Sequence, residues 1–433
     1  MISLILVLVL FILIICTIYR PVYGIMCYYI IRMVIPSVTR VGSFSFNTVS
    51  LGVLLLFLLP HLVSTYRKSD EIAKKYVQAV FIIGSGLFIL TFLGSIPLSF
   101  QWSALIQMLL TEIMPSVLLI LYLKRSKDYN VFCNVVCIMA MFTALYGIYT
   151  YVTADNPIYT VLNNSGEEGY ILEDYVTGRL GLEGIAVGIY NDKIALSLIS
   201  LLLFTFLINK ACINKILLTC ALALTFVDMF LTTQRTALFC VIIFFIIVCF
   251  DKANKLVRKY FQWGVLLFIA MVIFDNNTMI RDLFYSLINI FDDRVQQQLG
   301  IGGSSIDMRM LQFASAFNYL GVERLMQGEG YDFPSYYYQY IFRRDLLGID
   351  PRFMGFESFI LKTLMGSGLI GITVWLFGLF KMYRTLSPKR NLYDIAFFIS
   401  YFIAIVMTDT SASFYLFFFF IVLNSKQYLL TKG

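Results

Sequence analysis

Apolar runs long enough to cross a lipid bilayer recur throughout this sequence, and nothing constrains its fold more than that recurrence. A hydrocarbon layer about 30 Å thick needs roughly 20 apolar residues in helical form, because unsatisfied backbone groups are too costly there. About 13 runs approach that length, at 2–18, 22–38, 48–65, 76–94, 102–123, 131–152, 185–208, 213–232, 235–250, 260–275, 357–380, 392–408 and 411–430. The second is the weakest because Arg32 interrupts it, and a tilted or re-entrant helix is the alternative there. With 59% hydrophobic and 14% charged residues in 433, the expected class is an all-α polytopic membrane protein of about 12–13 transmembrane helices.

Basic residues sort the links between these runs. Arg67, Lys68, Lys74 and Lys75 fill one link, and Lys124, Arg125 and Lys127 the next but one. By alternate links follow Lys210 and Lys215, then Lys252, Lys255, Arg258 and Lys259, then Lys381, Arg384, Lys389 and Arg390. The lysine-rich side is the cytoplasmic one, which puts the N-terminus outside and the C-terminus inside a plasma membrane. The net charge of +7 is therefore a matter of topology, and nucleic acid is not an expected partner. The first run lacks a basic flank and a small-residue cleavage site, so it reads as a retained span and not a signal peptide.

Two outer segments stand out. The expected division is N-terminal helices 1–152, a first outer loop 153–184, central helices 185–275, a large and partly helical extracytoplasmic loop 276–356, and C-terminal helices 357–433. The first loop is acidic, with Arg179 as its single basic residue. The second carries Arg281, Arg294, Arg309, Arg324, Arg343, Arg344 and Arg352, and no lysine. Either residue keeps a loop soluble, but only arginine presents a rigid fork matched to phosphate or carboxylate oxygens. Within it, Asp307 to Leu320 has apolar residues at helical spacing, with Ser304, Ser305 and Asp307 as N-cap candidates.

Each candidate site residue has a plain reading beside the functional one. Arg235, at the outer mouth of its span, is a helix-end snorkelling residue or a ligand group held at membrane depth. Arg309 and Arg179 are solvated ion-pair partners or anion ligands. Glu357 is a helix N-terminal carboxylate or a desolvated general base, and Lys362 just over a turn below it faces the same cavity. Tyr331, Tyr336 and their neighbours are an interfacial belt or a sugar-stacking surface. The only histidine, His61, reads as a helix-end residue far from both outer loops. Gly366-Ser-Gly368-Leu-Ile-Gly371 formally matches a dinucleotide motif, but inside a span with no preceding strand it reads as close helix packing. Cys133 and Cys137 read as packing residues, no metal-ligand constellation is present, and no cofactor is expected.

Taken in order, these motifs resemble the O-antigen polymerase and O-antigen ligase superfamily of bacterial lipid-linked glycan assembly. The resemblance rests on Arg179-Leu-Gly-Leu-Glu-Gly followed by Asn191-Asp192, on Thr-Thr-Gln-Arg235-Thr-Ala-Leu, and on Ser305-Ile-Asp-Met-Arg309 leading to Gly328-Glu-Gly330-Tyr331. Glu357-Ser-Phe-Ile-Leu before the glycine motif completes it, so it covers roughly residues 175–380. It implies a metal-independent, inverting glycosyltransferase that polymerises undecaprenyl-pyrophosphate-linked oligosaccharides at the outer face of the inner membrane. Arg235 and Arg309 would hold the donor pyrophosphate, with Arg179 assisting, and Tyr331 and Tyr336 would position the glycan. Glu357 falls where the ligase branch carries a histidine, a departure that favours the polymerase branch with a second lipid-linked unit as acceptor. The implied partners are these lipid-linked oligosaccharides, membrane lipids and a chain-length regulator. Phe414 and Phe417 to Phe420 would accommodate the polyprenyl tail or simply face lipid. The rival readings are a ligase with another acceptor and a flippase or other transporter of lipid-linked oligosaccharide.

Overall fold

The computed structural model describes residues 2–36, 39–41, 44–164, 186–190, 192–210, 212–232, 234–249, 306–342, 356, 358–387 and 392–430; at 2–3, 161–164, 306–309 and 428–430 it describes the backbone alone. Helices dominate. In chain order they are α1 (Ile2–Tyr19), α2 (Pro21–Val34), α3 (Phe46–Arg67), α4 (Glu71–Thr91), α5 (Leu98–Tyr122), α6 (Ser126–Thr153) and α7 (Pro157–Asn164). Then come α8 (Lys193–Leu207), α9 (Lys215–Leu231), α10 (Arg235–Cys249), α11 (Ile306–Leu325) and the short α12 (Phe333–Tyr336). The described chain closes with α13 (Phe359–Leu386), α14 (Leu392–Met407) and α15 (Phe414–Leu430). Every apolar run read from the sequence is helical except 260–275, which lies outside the described residues.

Five of these helices, α3, α4, α5, α6 and α13, are long and apolar enough to cross a membrane. Others are shorter; α2 has 14 residues, about 21 Å at 1.5 Å per residue. Several helices start at a side-chain cap. Asp70 accepts from the Ala73 N–H, Asp192 from Ile194 and Asn214 from Ile216.

Contacts between distant residues gather at two ends. At the lysine-bearing end, Lys426 bonds Asp70 at 3.2 Å, Arg20 pairs with Asp128 at 3.3 Å, and the fully buried Lys210 donates to Asn424 and Gln427. At the opposite end, Ala186 N–H donates to Leu231, Phe359 N–H to Thr408, and Ser95 N–H to Glu329. Between them lies an apolar core in which α4 runs along α13, and α9 along α6. His61 is exposed on α3, and Cys133 and Cys137 are buried packing residues on α6.

Two expectations change. Phe414 and Phe417 to Phe420 do not form an exposed, lipid-facing surface. They are buried, with Phe417 stacked on Tyr401, Phe419 against Tyr29 and Phe420 on Phe206. The glycine motif is not a uniform packing face either, because α13 breaks inside it at Gly368, where φ is +62° and ψ −165°. Helix packing through glycine does occur lower down, where a Cβ on Gly378 would come within 2.1 Å of the Ile83 side chain on α4.

Candidate functional site

The break in α13 is filled by the segment after α11. A span interrupted by non-helical backbone leaves donors and acceptors that need partners. Here Glu329 N–H donates to Met365 O at 2.8 Å, Gly330 N–H to Gly366 O at 2.8 Å, and Ile370 N–H to Met326 O at 3.0 Å. The approach leaves no room for side chains. A Cβ on Gly328 would lie 2.6 Å from the Gly366 carbonyl carbon, and one on Gly368 would lie 2.4 Å from Met326 O. Both residues have positive φ, which disfavours any other residue there.

The same strap is fixed to the α4–α5 turn. Gln101, fully buried on α5, donates from Nε2 to Ile96 O and accepts the Tyr331 N–H at Oε1, each at 2.8 Å. Ser95 Oγ donates to a Glu329 carboxylate oxygen and, at 3.0 Å, to its carbonyl, and Arg324 Nη1 donates to Leu93 O at 3.2 Å. Residues 326–332 are thus held between two helices before the chain reaches Asp332.

Beneath the strap lies a cavity of about 340 Å³, walled by α5, the Tyr331–Ser335 segment, the first half of α13 and the α14–α15 turn. Its polar lining includes Thr111 and Glu112 on α5, Asp332 and Ser335 after the strap, and Lys362 and Ser367 on α13; Trp375 and Phe414 add apolar surface. Glu112 reaches it from a π-helical turn, Leu109–Ile113, a local widening often found where a helix serves a site.

Three charged arrangements meet at this cavity. Arg32 Nη2 donates to Glu112 Oε1 at 2.9 Å, its Nη1 donates to Thr111 O, and its guanidinium lies 3.8 Å from the Tyr415 ring centre. Glu112 is completed by Thr111 Oγ1 at 3.0 Å and by the Tyr415 N–H at 3.1 Å. Arg32, which weakened the second run as a span, is therefore a buried partner for a carboxylate on another helix. Lys362 Nζ pairs with Asp409 Oδ2 at 2.5 Å, and Asp409 Oδ1 accepts the Ser411 N–H. Asp332 adopts a left-handed conformation with φ +60°, and its Oδ1 accepts from Ser335 Oγ at 2.8 Å.

Burial raises the Asp332 carboxyl above the ordinary carboxylate value; Ser335 and Lys362 pull it back, and Asp409 adds to the rise.

Of the residues singled out in the sequence, Tyr331 lines the cavity and Lys362 does as well. Tyr336 instead packs edge-on to Phe100, 5.3 Å between ring centres, and against Tyr340 at 4.8 Å. Arg235 is buried at the start of α10, and Arg309 stands in the first turn of α11 with its side chain outside the described residues. Arg179 and Glu357 lie outside the described residues altogether. Arg32, Glu112, Asp332 and Asp409 were not among the sequence candidates. The signal that could have found Glu112 was an acidic residue in the middle of an apolar run. No protein-family model matches the chain, and no curated protein matches it.

Proposed function

We propose that this chain is a membrane glycosyltransferase that polymerises undecaprenyl-pyrophosphate-linked oligosaccharide repeats at the outer face of a bacterial plasma membrane. One observation carries the reading: a charged cavity beneath a helix break, walled on one side by apolar spans and on another by the polar segment that follows α11. A lipid-linked donor needs such a junction, with its sugars in the aqueous phase and its diphosphate at the level where the spans begin. In the proposed reaction an acceptor sugar hydroxyl attacks the anomeric carbon of the growing chain. The bond from that carbon to the phosphate oxygen breaks, undecaprenyl pyrophosphate leaves with the electron pair, and configuration inverts.

Asp332 is the proposed base, taking the acceptor proton; its burial favours proton uptake, and the Lys362 charge opposes that rise. Lys362, shared with Asp409, faces the leaving diphosphate. Arg235 and Arg309, with Arg179, remain the proposed diphosphate clamp from the resemblance, and Glu357 the alternative base five residues before Lys362. Tyr331 supports the glycan from the cavity wall.

A second reading has its own observation. Discontinuous helices beside charged cavities also serve transporters of lipid-linked or ionic cargo, and α13 is discontinuous at Gly368. One experiment separates the two. The purified chain in vesicles receives lipid-linked repeat units alone, and product length and leaflet distribution are measured. Lengthened glycan supports the polymerase; transfer between leaflets without lengthening supports the transporter; neither change overturns both.

A further inference from the structure

Helix α11 has two faces, and among the described residues one is buried and the other exposed. At about 100° per residue, Gln312, Ala316 and Leu320 share a stripe, and all three are buried. Ala316 and Leu320 pack with Leu361, Leu364 and Met365 of the first half of α13. The opposite stripe, Met310, Ala314 and Phe317, is exposed, with Leu311 beside it; Met310 is 65% exposed and Val322, just past the kink at Gly321, is 90% exposed. A soluble loop helix normally turns polar residues to water on that side.

This face is continuous with the surface of the spans. Arg324 ties the end of α11 to Leu93 at the end of α4, and Met326 is bonded through its carbonyl to Ile370 of α13. Phe92, Leu93, Met326, Leu369 and Ile370 are all exposed. At the same end Trp102 stacks on Phe88 at 5.8 Å, packs against Phe92, and donates from Nε1 to Thr91 Oγ1. A tryptophan with its ring on apolar surface and its N–H in a polar bond marks the level where spans meet lipid headgroups.

We infer that α11 is an interfacial helix whose Met310, Phe317, Val322 and Met326 insert into one leaflet of the bilayer. The occupant of the face is lipid, because its exposed residues are mostly apolar, with the polar Asn318 among them, and because it joins the exposed surface of the spans through Arg324, which is placed as a snorkelling residue. Asp332 follows Met326 by six positions, so the cavity wall is anchored close to the leaflet.

The test uses the full chain reconstituted in phosphatidylcholine vesicles with and without brominated acyl chains. Val322→Trp and Met310→Trp are compared with Asp155→Trp, in an exposed polar turn, after subtracting the emission of the three native tryptophans. Phe317→Trp replaces ring by ring and covers failure of either first variant to fold. The expected result is loss of the added emission at 322, 310 and 317 to brominated lipid, with little loss to acrylamide, and the reverse at 155. Quenching by acrylamide and not by brominated lipid would overturn the inference in favour of a solvent-facing helix. Protection from both quenchers would overturn it in favour of a second copy or another protein covering the face.

Discussion

The two ends of the bundle handle charge in opposite ways. At the lysine-bearing end the buried charge is packed shut: Lys210 Nζ is held at 2.7 Å by both Asn424 and Gln427, with the Phe206 ring centre 4.2 Å away. At the other end, Glu112, Asp332 and Lys362 are also partnered, yet all three face open space of about 340 Å³. Charge enclosed on all sides is there for architecture, since nothing can reach it. Charge that is partnered but borders a cavity is pre-organised, because its cost of ordering is already met before a ligand arrives. The difference predicts that substitution of the enclosed Lys210 acts on stability, and that of the cavity residues Asp332 and Lys362 on activity.

The largest effect is expected at the cavity. Lys362→Met and Asp332→Asn should each reduce glycan lengthening by about 100-fold or more, the usual cost of removing a proton-transfer or charge-stabilising group. Thermal midpoints in detergent should stay near that of the parent, since both side chains border the cavity. Parent-level lengthening from either variant would remove that residue from the proposed machinery. Next comes Glu112→Gln, which removes the negative charge paired with the buried Arg32 guanidinium and leaves it the Thr111 carbonyl and the Tyr415 ring. Breaking one side of a buried pair costs about 3–5 kcal/mol, read as a lowered midpoint, and Arg32→Met in the same chain should restore part of it. A midpoint insensitive to Glu112→Gln would mean that the pair is hydrated and belongs with the cavity and not with the core.

The helical, apolar character of the fold was legible because hydropathy is a local signal. The caps at Asp70, Asp192 and Asn214 are local contacts too, though they were not singled out in the sequence. The cavity was not legible, because its contacts are not local. Arg32 meets Glu112 across 80 positions, and Glu112 meets Tyr415 across 303. Arg32 looked like a defect in a span, when it is one half of a pair whose other half sat unremarked within another apolar run. The glycine motif was visible, but spacing alone does not distinguish a packing face from a helix break. The choice is made by Gly328, whose backbone closes against Gly366. Tyr331 faces the cavity and Tyr336, five residues on, turns to Phe100, a division that tyrosine content does not reveal.

A smaller effect should sharpen the contrast from the enclosed end. Lys210→Met removes an ammonium but leaves the Asn424 and Gln427 oxygens buried without that donor, at about 1–3 kcal/mol. Yield and thermal midpoint should fall while lengthening per folded molecule is unchanged. A loss of specific activity that exceeds the loss of folded protein would show that the two ends are coupled and not divided as their packing suggests.

The smallest expected effect is also the most specific to Asp332. Burial raises its native carboxyl above the ordinary value, so the folded chain binds this proton more tightly than the unfolded one. Its contribution to stability is therefore greatest below the unfolded pKa, near 3.9, declines as pH rises to the native pKa, and is constant above it. Activity runs the other way, because a base must be unprotonated, and lengthening should rise with pH through the raised native value. Replacing Lys362 with Met removes a charge that lowers this pKa, so the residual activity should rise at still higher pH. A rate that climbs through the ordinary carboxylate range, with a midpoint that Lys362→Met leaves in place, would assign the proton transfer to a different group. Glu357 would then be the next residue to replace.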